Sequence, residues 1–302
     1  MWRTALIGCG NIAGGYDEQS DDSLCQTHAQ ACRLLPDLEL VSVCDRDAEK
    51  ARRFAARWSA QSSHDDVREM LAQTGPDIVA ICSPTSTHID MLEMCLERPG
   101  IRAVICEKPA GFDSAHLAPW LPKFESAGIV LAVNYSRAYA PAIQQWRAKL
   151  GELGGCVEAV VDYGKGIFNY GSHAVQWLAD WLGDITNVEA VAARAGTAIE
   201  DPNVDAAFHA GAVPVRLRGG VKDCFDVEFR CAKGVLRFFN FAYEGECGAE
   251  RFSTRLDTVM LDVYSNLTAR LEGMSSRLVE GREALTTLGV CAALAAQSRK
   301  FS

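Results

Sequence analysis

The heptad Gly8-Cys9-Gly10-Asn11-Ile12-Ala13-Gly14 fits the pattern GxGxxA with one further glycine, directly after the apolar run at 4–7. Small residues in that order suit a pyrophosphate. The first glycine makes a tight turn, the second lets backbone amides approach the ligand, and the third small residue permits close helix packing. A second apolar run, 38–44, ends in Asp45, where a carboxylate can accept from both ribose hydroxyls of a dinucleotide such as NAD. Gly14 and Asp45 are 31 residues apart, where about twenty are usual. A polar insertion over 16–26, acidic through Asp17, Glu18, Asp21 and Asp22, accounts for the excess if the first helix starts near Thr27. Asp45 opposes the 2′-phosphate of NADP, whereas the neighbouring Arg46 could bind that phosphate or stack on adenine. The expectation is NAD, with NADP as the alternative.

Positioning these residues requires a regular frame. Apolar, β-branched runs at 4–7, 38–44, 78–82, 104–106 and 129–133 are buried-strand candidates, and helical patterns at 48–58, 67–73 and 89–98 separate them. Alternation of this kind gives a parallel sheet wound with right-handed crossovers. From about Gly155 the rhythm changes to strand patterns at 156–163, 188–195, 213–217, 221–231 and 235–241, which predicts an antiparallel sheet. Helices at 141–150 and 282–297 would bridge the two parts and close the chain. The division expected is a dinucleotide-binding domain over 1–134 and a substrate-binding and oligomerisation domain over 135–302.

Composition narrows the partners. With 302 residues, 48% apolar and 23% charged, the chain has material for two packed domains, which excludes a disordered or fibrous protein. The 39 acidic against 30 basic residues give a net charge of -9, which repels phosphate backbones and anionic membranes. A small-molecule ligand is expected, with no nucleic-acid and no membrane partner. Twelve cysteines occur without a CxxC pair or HExxH, so no metal site is expected and the thiols read as reduced. The start, MWRTALIGCG, runs straight into a strand pattern with no signal-peptide apolar core, and a cytoplasmic location is expected.

Several further motifs converge in one order: Ser83-Pro84-Thr85-Ser86-Thr87-His88, Glu107-Lys108-Pro109, Asn134-Tyr135-Ser136-Arg137 and Gly171-Ser172-His173. With the glycine motif, they resemble the glucose-fructose oxidoreductase and inositol dehydrogenase family from Thr4 to about Gly183. The resemblance implies an N-terminal Rossmann domain, a doubly wound parallel sheet, followed by a C-terminal domain with an open, mainly antiparallel sheet. It also implies an NAD(P)-dependent enzyme moving hydride between nicotinamide and a hydroxyl or keto group of a carbohydrate, with a sugar nucleotide or related acidic sugar as the substrate class.

Carried onto this chain, the resemblance makes Lys108 the catalytic lysine and His173 the catalytic histidine. Lysine suits the role because a compact ammonium stabilises a developing alkoxide; histidine suits it because imidazole can move a proton near neutral pH, and a helix start would favour its neutral form. The family carries Asp four residues before that histidine and three residues after it, where this chain has Asn169 and Gln176. Asn169 is therefore expected as an uncharged third member. Gly8, Gly10, Asn11, Ile12, Asp45, Arg46, Ser83, Pro84, Thr85, His88, Glu107, Lys108 and Asn134 are expected around the cofactor. Tyr135, Arg137, Lys165 and Tyr170 are expected near substrate, although 164–166 also reads as a solvated turn. His28, His64, His116 and His209 sit in no constellation and receive no role.

Two other functions fit the same motifs: a glycoside hydrolase that retains NAD and oxidises its sugar transiently, and a non-catalytic nicotinamide-binding regulator. Val227, Phe229, Leu236 and Phe238 alternate as one buried face of a strand pair. An open sheet covered on one side would leave other apolar positions needing a partner, so a homodimer or homotetramer through the C-terminal sheet is expected.

Overall fold

The computed structural model describes residues 1–193, 200–220 and 222–301. Its contacts divide the chain into two units. The first comprises Met1–Gly111, Ala115–Tyr139 and Asp257–Arg282; the second comprises Phe112–Ser114, Ala140–Leu256 and Glu283–Ser302. The division is thus not linear in sequence.

The first unit is built on six strands, β1 (Trp2–Ile7), β2 (Leu38–Cys44), β3 (Ser62–His64), β4 (Ile78–Ile81), β5 (Ala103–Cys106) and β6 (Val130–Val133). They lie in the order β3-β2-β1-β4-β5-β6, and every pairing is parallel. Chain order reverses between β1 and β4, which is where doubly wound sheets bind ligands beyond their carboxyl ends. β4 and β5 are buried throughout, which is why their sequences are unbroken apolar runs. β3 is an edge strand of partly exposed Ser62, Ser63 and His64, so it carries no apolar signature.

Helices α1 (His28–Leu34), α2 (Ala48–Trp58), α3 (Val67–Thr74) and α4 (His88–Leu96) make crossovers. Asp47 caps α2 by accepting from the amides of Glu49 and Lys50, and Asp66 caps α3 through the Glu69 amide. The insertion ends where its length requires. Asp17, fully buried, accepts from the Gln26 amide at 2.8 Å and the Thr27 hydroxyl at 2.7 Å, and Thr27 in turn caps α1. A later helix, Val259–Leu271, belongs to this unit and buries Val259, Met260, Val263, Tyr264 and Leu267 at helical spacing.

The second unit carries eight strands: β7 (Cys156–Tyr163), β8 (Ile185–Ala193), β9 (Val204–Ala210), β10 (Val213–Gly219), β11 (Phe225–Cys231), β12 (Gly234–Phe239), β13 (Glu244–Cys247) and β14 (Glu250–Ser253). Their order is β14-β13-β12-β11-β7-β10-β9-β8, antiparallel except for the parallel pair β7 and β10. The ends of two expected strands, at 194–195 and at Val221, lie outside the described residues. β9, β13 and β14 have no counterpart in the expected set: β9 buries alanines at two of its inward positions, and β13 and β14 are short and charged. The helix expected over 141–150 is two pieces, Pro141–Gln144 and Arg147–Glu152. Between them Trp146 donates its amide to Ile143, a tighter turn, and stacks its ring on Phe252 at 3.9 Å.

The helix Ser172–Leu182 covers one sheet face, with Trp177 against Phe238 at 4.8 Å and Trp181 stacked on Phe229 at 5.0 Å. Val227, Phe229, Leu236 and Phe238 are at most 1% exposed, so their burial is met inside the unit. The opposite strand positions are mainly charged, with Val160, Val235 and Phe239 among them. Arg216 and Arg230 pair with Glu158, Arg230 and Arg237 with Glu228, Arg218 with Asp162, and Arg237 and Arg251 with Glu246. The outward face is thus mainly polar, with a few apolar positions between the ion pairs.

Candidate functional site

At the carboxyl end of β1 the glycine motif turns as its residue types require. Gly8 has φ +96°, and an added Cβ would stand 2.8 Å from the Cys82 carbonyl carbon and the Ser83 nitrogen, so only glycine fits. Gly10 is different. A Cβ there would meet nothing within 4 Å, so the protein's own packing does not demand glycine. Gly10 instead lines a cleft of about 510 Å³ together with Gly8, Cys9, Asp45, Lys50 and Ser83. A glycine that leaves space on a cleft wall fits a ligand that must touch backbone. The carbonyls of Gly10 and Asn11 accept from the amides of Gly14, Gly15 and Tyr16, closing one helical turn whose leading amides have no acceptor within the turn. Close packing falls to Gly14 as well as to buried Ala13, since a Cβ on Gly14 would strike the Phe54 ring of α2.

Asp45 stands at the end of β2 with its carboxylate turned into this cleft. Oδ2 accepts from the Cys9 amide at 3.0 Å and from Lys50 Nζ at 2.7 Å, and Oδ1 accepts from the Asp47 amide at 3.2 Å. Burial would push this carboxyl up, but Lys50 and the two amides outweigh it and hold it below the usual aspartate range. The cleft is thus anionic at Asp45 and cationic at Lys50 and the exposed Arg46, a set suited to an adenosine ribose on either side of the NAD and NADP distinction. Lys50 is absent from the expected set; its signal is position, five residues after Asp45 and in the first turn of a helix that Asp47 caps.

Of the expected cofactor residues, Gly8, Gly10, Asp45, Arg46, Ser83 and Pro84 line the cleft. Asn11, Ile12, Thr85, His88, Glu107, Lys108 and Asn134 do not line it. His88 is 1% exposed, with Nδ1 2.9 Å from the Pro109 carbonyl and Nε2 2.8 Å from the Ser83 carbonyl. Its ring thus ties the loop at Ser83 to the loop at Pro109.

Glu107 and Asn134 belong to a buried network. Glu107 Oε1 lies 3.0 Å from His28 Nε2 and accepts from Asn134 Nδ2 at 2.6 Å, and Oε2 accepts from the Lys108 amide at 3.3 Å. His28 Nδ1 meets the Tyr264 hydroxyl at 2.8 Å. Burial would raise the Glu107 carboxyl, but the hydrogen bonds of His28 and Asn134 and the proximity of Lys108 overcome it, and the group sits below its ordinary range. An ionised carboxylate therefore anchors the backbone that carries Lys108. Tyr135 and Arg137, at 1% and 8% exposure, follow β6 on a buried turn.

In the second unit, helical backbone begins before His173. Residues Ile167–Gly171 form a π turn, with the Gly171 amide donating to the Gly166 carbonyl, and the α-helix continues from Ser172. His173 is thus in the second turn, not at the helix start, and the dipole argument for its neutral form does not carry over. Asp201 takes the start instead, accepting from the Phe168 amide at 2.7 Å and the Asn169 amide at 3.2 Å. π turns recur at functional sites because they re-aim a side chain within a helix. His173 is 5% exposed and faces the Phe225 ring at 6.3 Å. Lys165 pairs with Asp223 at 2.9 Å and lies 5.3 Å from the centre of the Tyr170 ring.

Comparison with known proteins bears on the fold. Residues 2–135 match the family model described as the oxidoreductase family with an NAD-binding Rossmann fold. This part of the chain thus has the NAD-binding Rossmann fold that the family model describes. Among curated proteins, D-glucoside 3-dehydrogenase of Escherichia coli is 32% identical over 148 residues, 49% of this chain and 38% of that enzyme. The chain therefore matches less than half the length of this relative. Among solved structures, an oxidoreductase from Agrobacterium radiobacter in complex with NAD+, L-tartaric acid and magnesium aligns at a TM-score of 0.82 and 16% identity, covering 100% of this chain and 97% of that one. The WlbA dehydrogenase from Bordetella pertussis, in complex with NADH and UDP-GlcNAcA, aligns at 0.78 and 20% identity, covering 99% and 97%. The fold is that of these oxidoreductases. No helix among the described residues is long and apolar enough to cross a membrane.

Proposed function

We propose that this protein is an NAD(P)-dependent oxidoreductase acting on a hydroxyl or keto carbon of a sugar or sugar nucleotide, with NAD preferred. The observation that carries the reading is the cleft at Gly10 and Asp45: glycine where the protein's packing needs none, beside a carboxylate kept ionised. Relatives named for glucoside and inositol oxidation support the substrate class. A bound dinucleotide would supply or accept the hydride. Lys108, held through its backbone by Glu107, donates to the reacting oxygen and stabilises its negative charge. His173 moves the hydroxyl proton. Asn169 offers an amide but no charge, so the proton-transfer group works without a carboxylate from that position.

Hydride transfer is directly visible in the nicotinamide absorbance. Incubation with NAD and a panel of pyranosides, uronates and nucleotide sugars should give reduced cofactor with at least one class. A protein that binds the dinucleotide tightly and changes its redox state with none of them, in either direction, contradicts the reading. Self-association into a homodimer or homotetramer through the second unit's sheet is part of the proposal. Sedimentation equilibrium at micromolar concentration should show an oligomer, and a monomer contradicts it.

A further inference from the structure

Three consecutive non-glycine residues, Asn240, Phe241 and Ala242, have φ of +52°, +58° and +64°. Left-handed backbone costs a side-chain-bearing residue roughly 1–2 kcal/mol, and runs of it are avoided. Asparagine tolerates the region; phenylalanine and alanine do not. The turn is nevertheless held firmly. The Tyr243 amide donates to the Asn240 carbonyl at 3.0 Å, Thr254 Oγ1 donates to the Ala242 carbonyl at 2.5 Å, and Ala242 is fully buried. Strain kept by surrounding structure marks a place where a side chain is aimed for a purpose.

That side chain is Phe241. Its ring packs on Tyr170 with centroids 5.8 Å apart, and Tyr170 also meets Phe225 at 5.9 Å. Phe225, fully buried, in turn meets His173 at 6.3 Å. A row of rings therefore runs from His173 to Phe241, buried at the histidine end and partly exposed at Tyr170 and Phe241. Lys165 borders the Tyr170 ring with its ammonium 5.3 Å from the ring centre and paired with Asp223.

We propose that Tyr170 and Phe241 form a stacking platform for a ring of the substrate, and that the strained turn at 240–242 exists to present Phe241. The proposal rests on the oxidoreductase reading and deepens it by naming the ligand chemistry: a ring with an accessible face that can lie on an aromatic side chain. A pyranose presents a C–H face and a nucleobase presents a π face. Ring stacking on an aromatic side chain is sequence- and substituent-tolerant and is worth about 1–3 kcal/mol for a base.

The test is a binding titration of the NAD-loaded full chain with uridine diphosphate and, separately, with a methyl glucoside and a free uronate. Phe241→Ala and Phe241→Leu should weaken whichever probe stacks by roughly tenfold, whereas Phe241→Tyr should bind like the parent. A loss confined to uridine diphosphate assigns the platform to the base; a loss confined to the other two assigns it to the sugar. Asn240→Gly, which relieves strain at the turn's first residue and keeps the ring, controls for folding and should raise the unfolding temperature. Unchanged affinity for every probe in Phe241→Ala and Phe241→Leu, with NAD binding intact, overturns the platform and leaves the oxidoreductase reading standing. Failure of the parent to bind NAD at all overturns both.

Discussion

Replacing Lys108 with alanine is expected to lower turnover by about 10²–10³ while leaving dinucleotide affinity nearly unchanged. The lysine does not line the cleft, and its backbone amide is held by Glu107. It is assigned to the reacting oxygen, where a charge-stabilising donor acts on the transition state more than on the ground state. kcat should therefore fall with little change in cofactor binding, and steady-state kinetics beside a cofactor titration separates the two. A variant with near-normal kcat on the true substrate refutes the role. His173→Ala should be impaired comparably, and Asn169→Ala less so, because an amide orients a ring without supplying charge.

The second large effect lies beneath that lysine. Glu107→Leu should destabilise the first unit by about 3–5 kcal/mol, because it strips the acceptor from His28, Asn134 and the Lys108 amide at once and leaves them buried. Glu107→Gln, which keeps an acceptor oxygen, should cost less. The pH dependence follows from the carboxyl's lowered position. A carboxylate held below its unfolded value contributes stability above that value, about 4.3, and loses the contribution as pH falls through the lower, folded value. The parent should thus show no loss from this group at neutral or mildly acidic pH, and thermal melts of parent and Glu107→Gln should converge as pH drops below about 4. Melts that differ by a constant amount down to strong acid contradict the ionised state of Glu107.

What the sequence shows of this site is what is local in it. Leu38–Cys44 and Ala48–Trp58 are legible residue for residue because a β-branched run, an acidic strand end and an Asp47 cap all lie within one stretch of chain. The glycines are legible for the same reason: strand, turn and small residues are neighbours. His28 is not. Its partners lie 79 and 236 residues away at Glu107 and Tyr264, and nothing near His28 distinguishes it from an ordinary helix-start histidine.

The contacts of His88 with the Ser83 and Pro109 carbonyls are not legible, because a ring turned to backbone and a ring turned to a ligand share one sequence signature. At His173 the sequence shows an amphipathic helix, but a π turn differs from an α turn by a single residue of register. The acceptor that caps it, Asp201, comes from a segment with no helical pattern. The left-handed turn at Phe241 is likewise hidden, since Asn-Phe-Ala carries no glycine to announce positive φ. The assembly of the first unit from separated segments, with Val259–Leu271 returning to it, depends on packing that no local period encodes.

The account stands on a dinucleotide in the cleft between Gly10 and Asp45, and calorimetric titration of NAD into the parent and into Gly10→Ala tests it most directly. The added methyl meets nothing within 4 Å in the protein, so the variant should fold and melt like the parent. The account expects one NAD bound per chain in the parent and an affinity loss of about tenfold or more in Gly10→Ala, equivalent to at least 1.4 kcal/mol, because the methyl occupies the approach to the backbone. No binding by the folded parent, or equal binding by parent and variant, contradicts it.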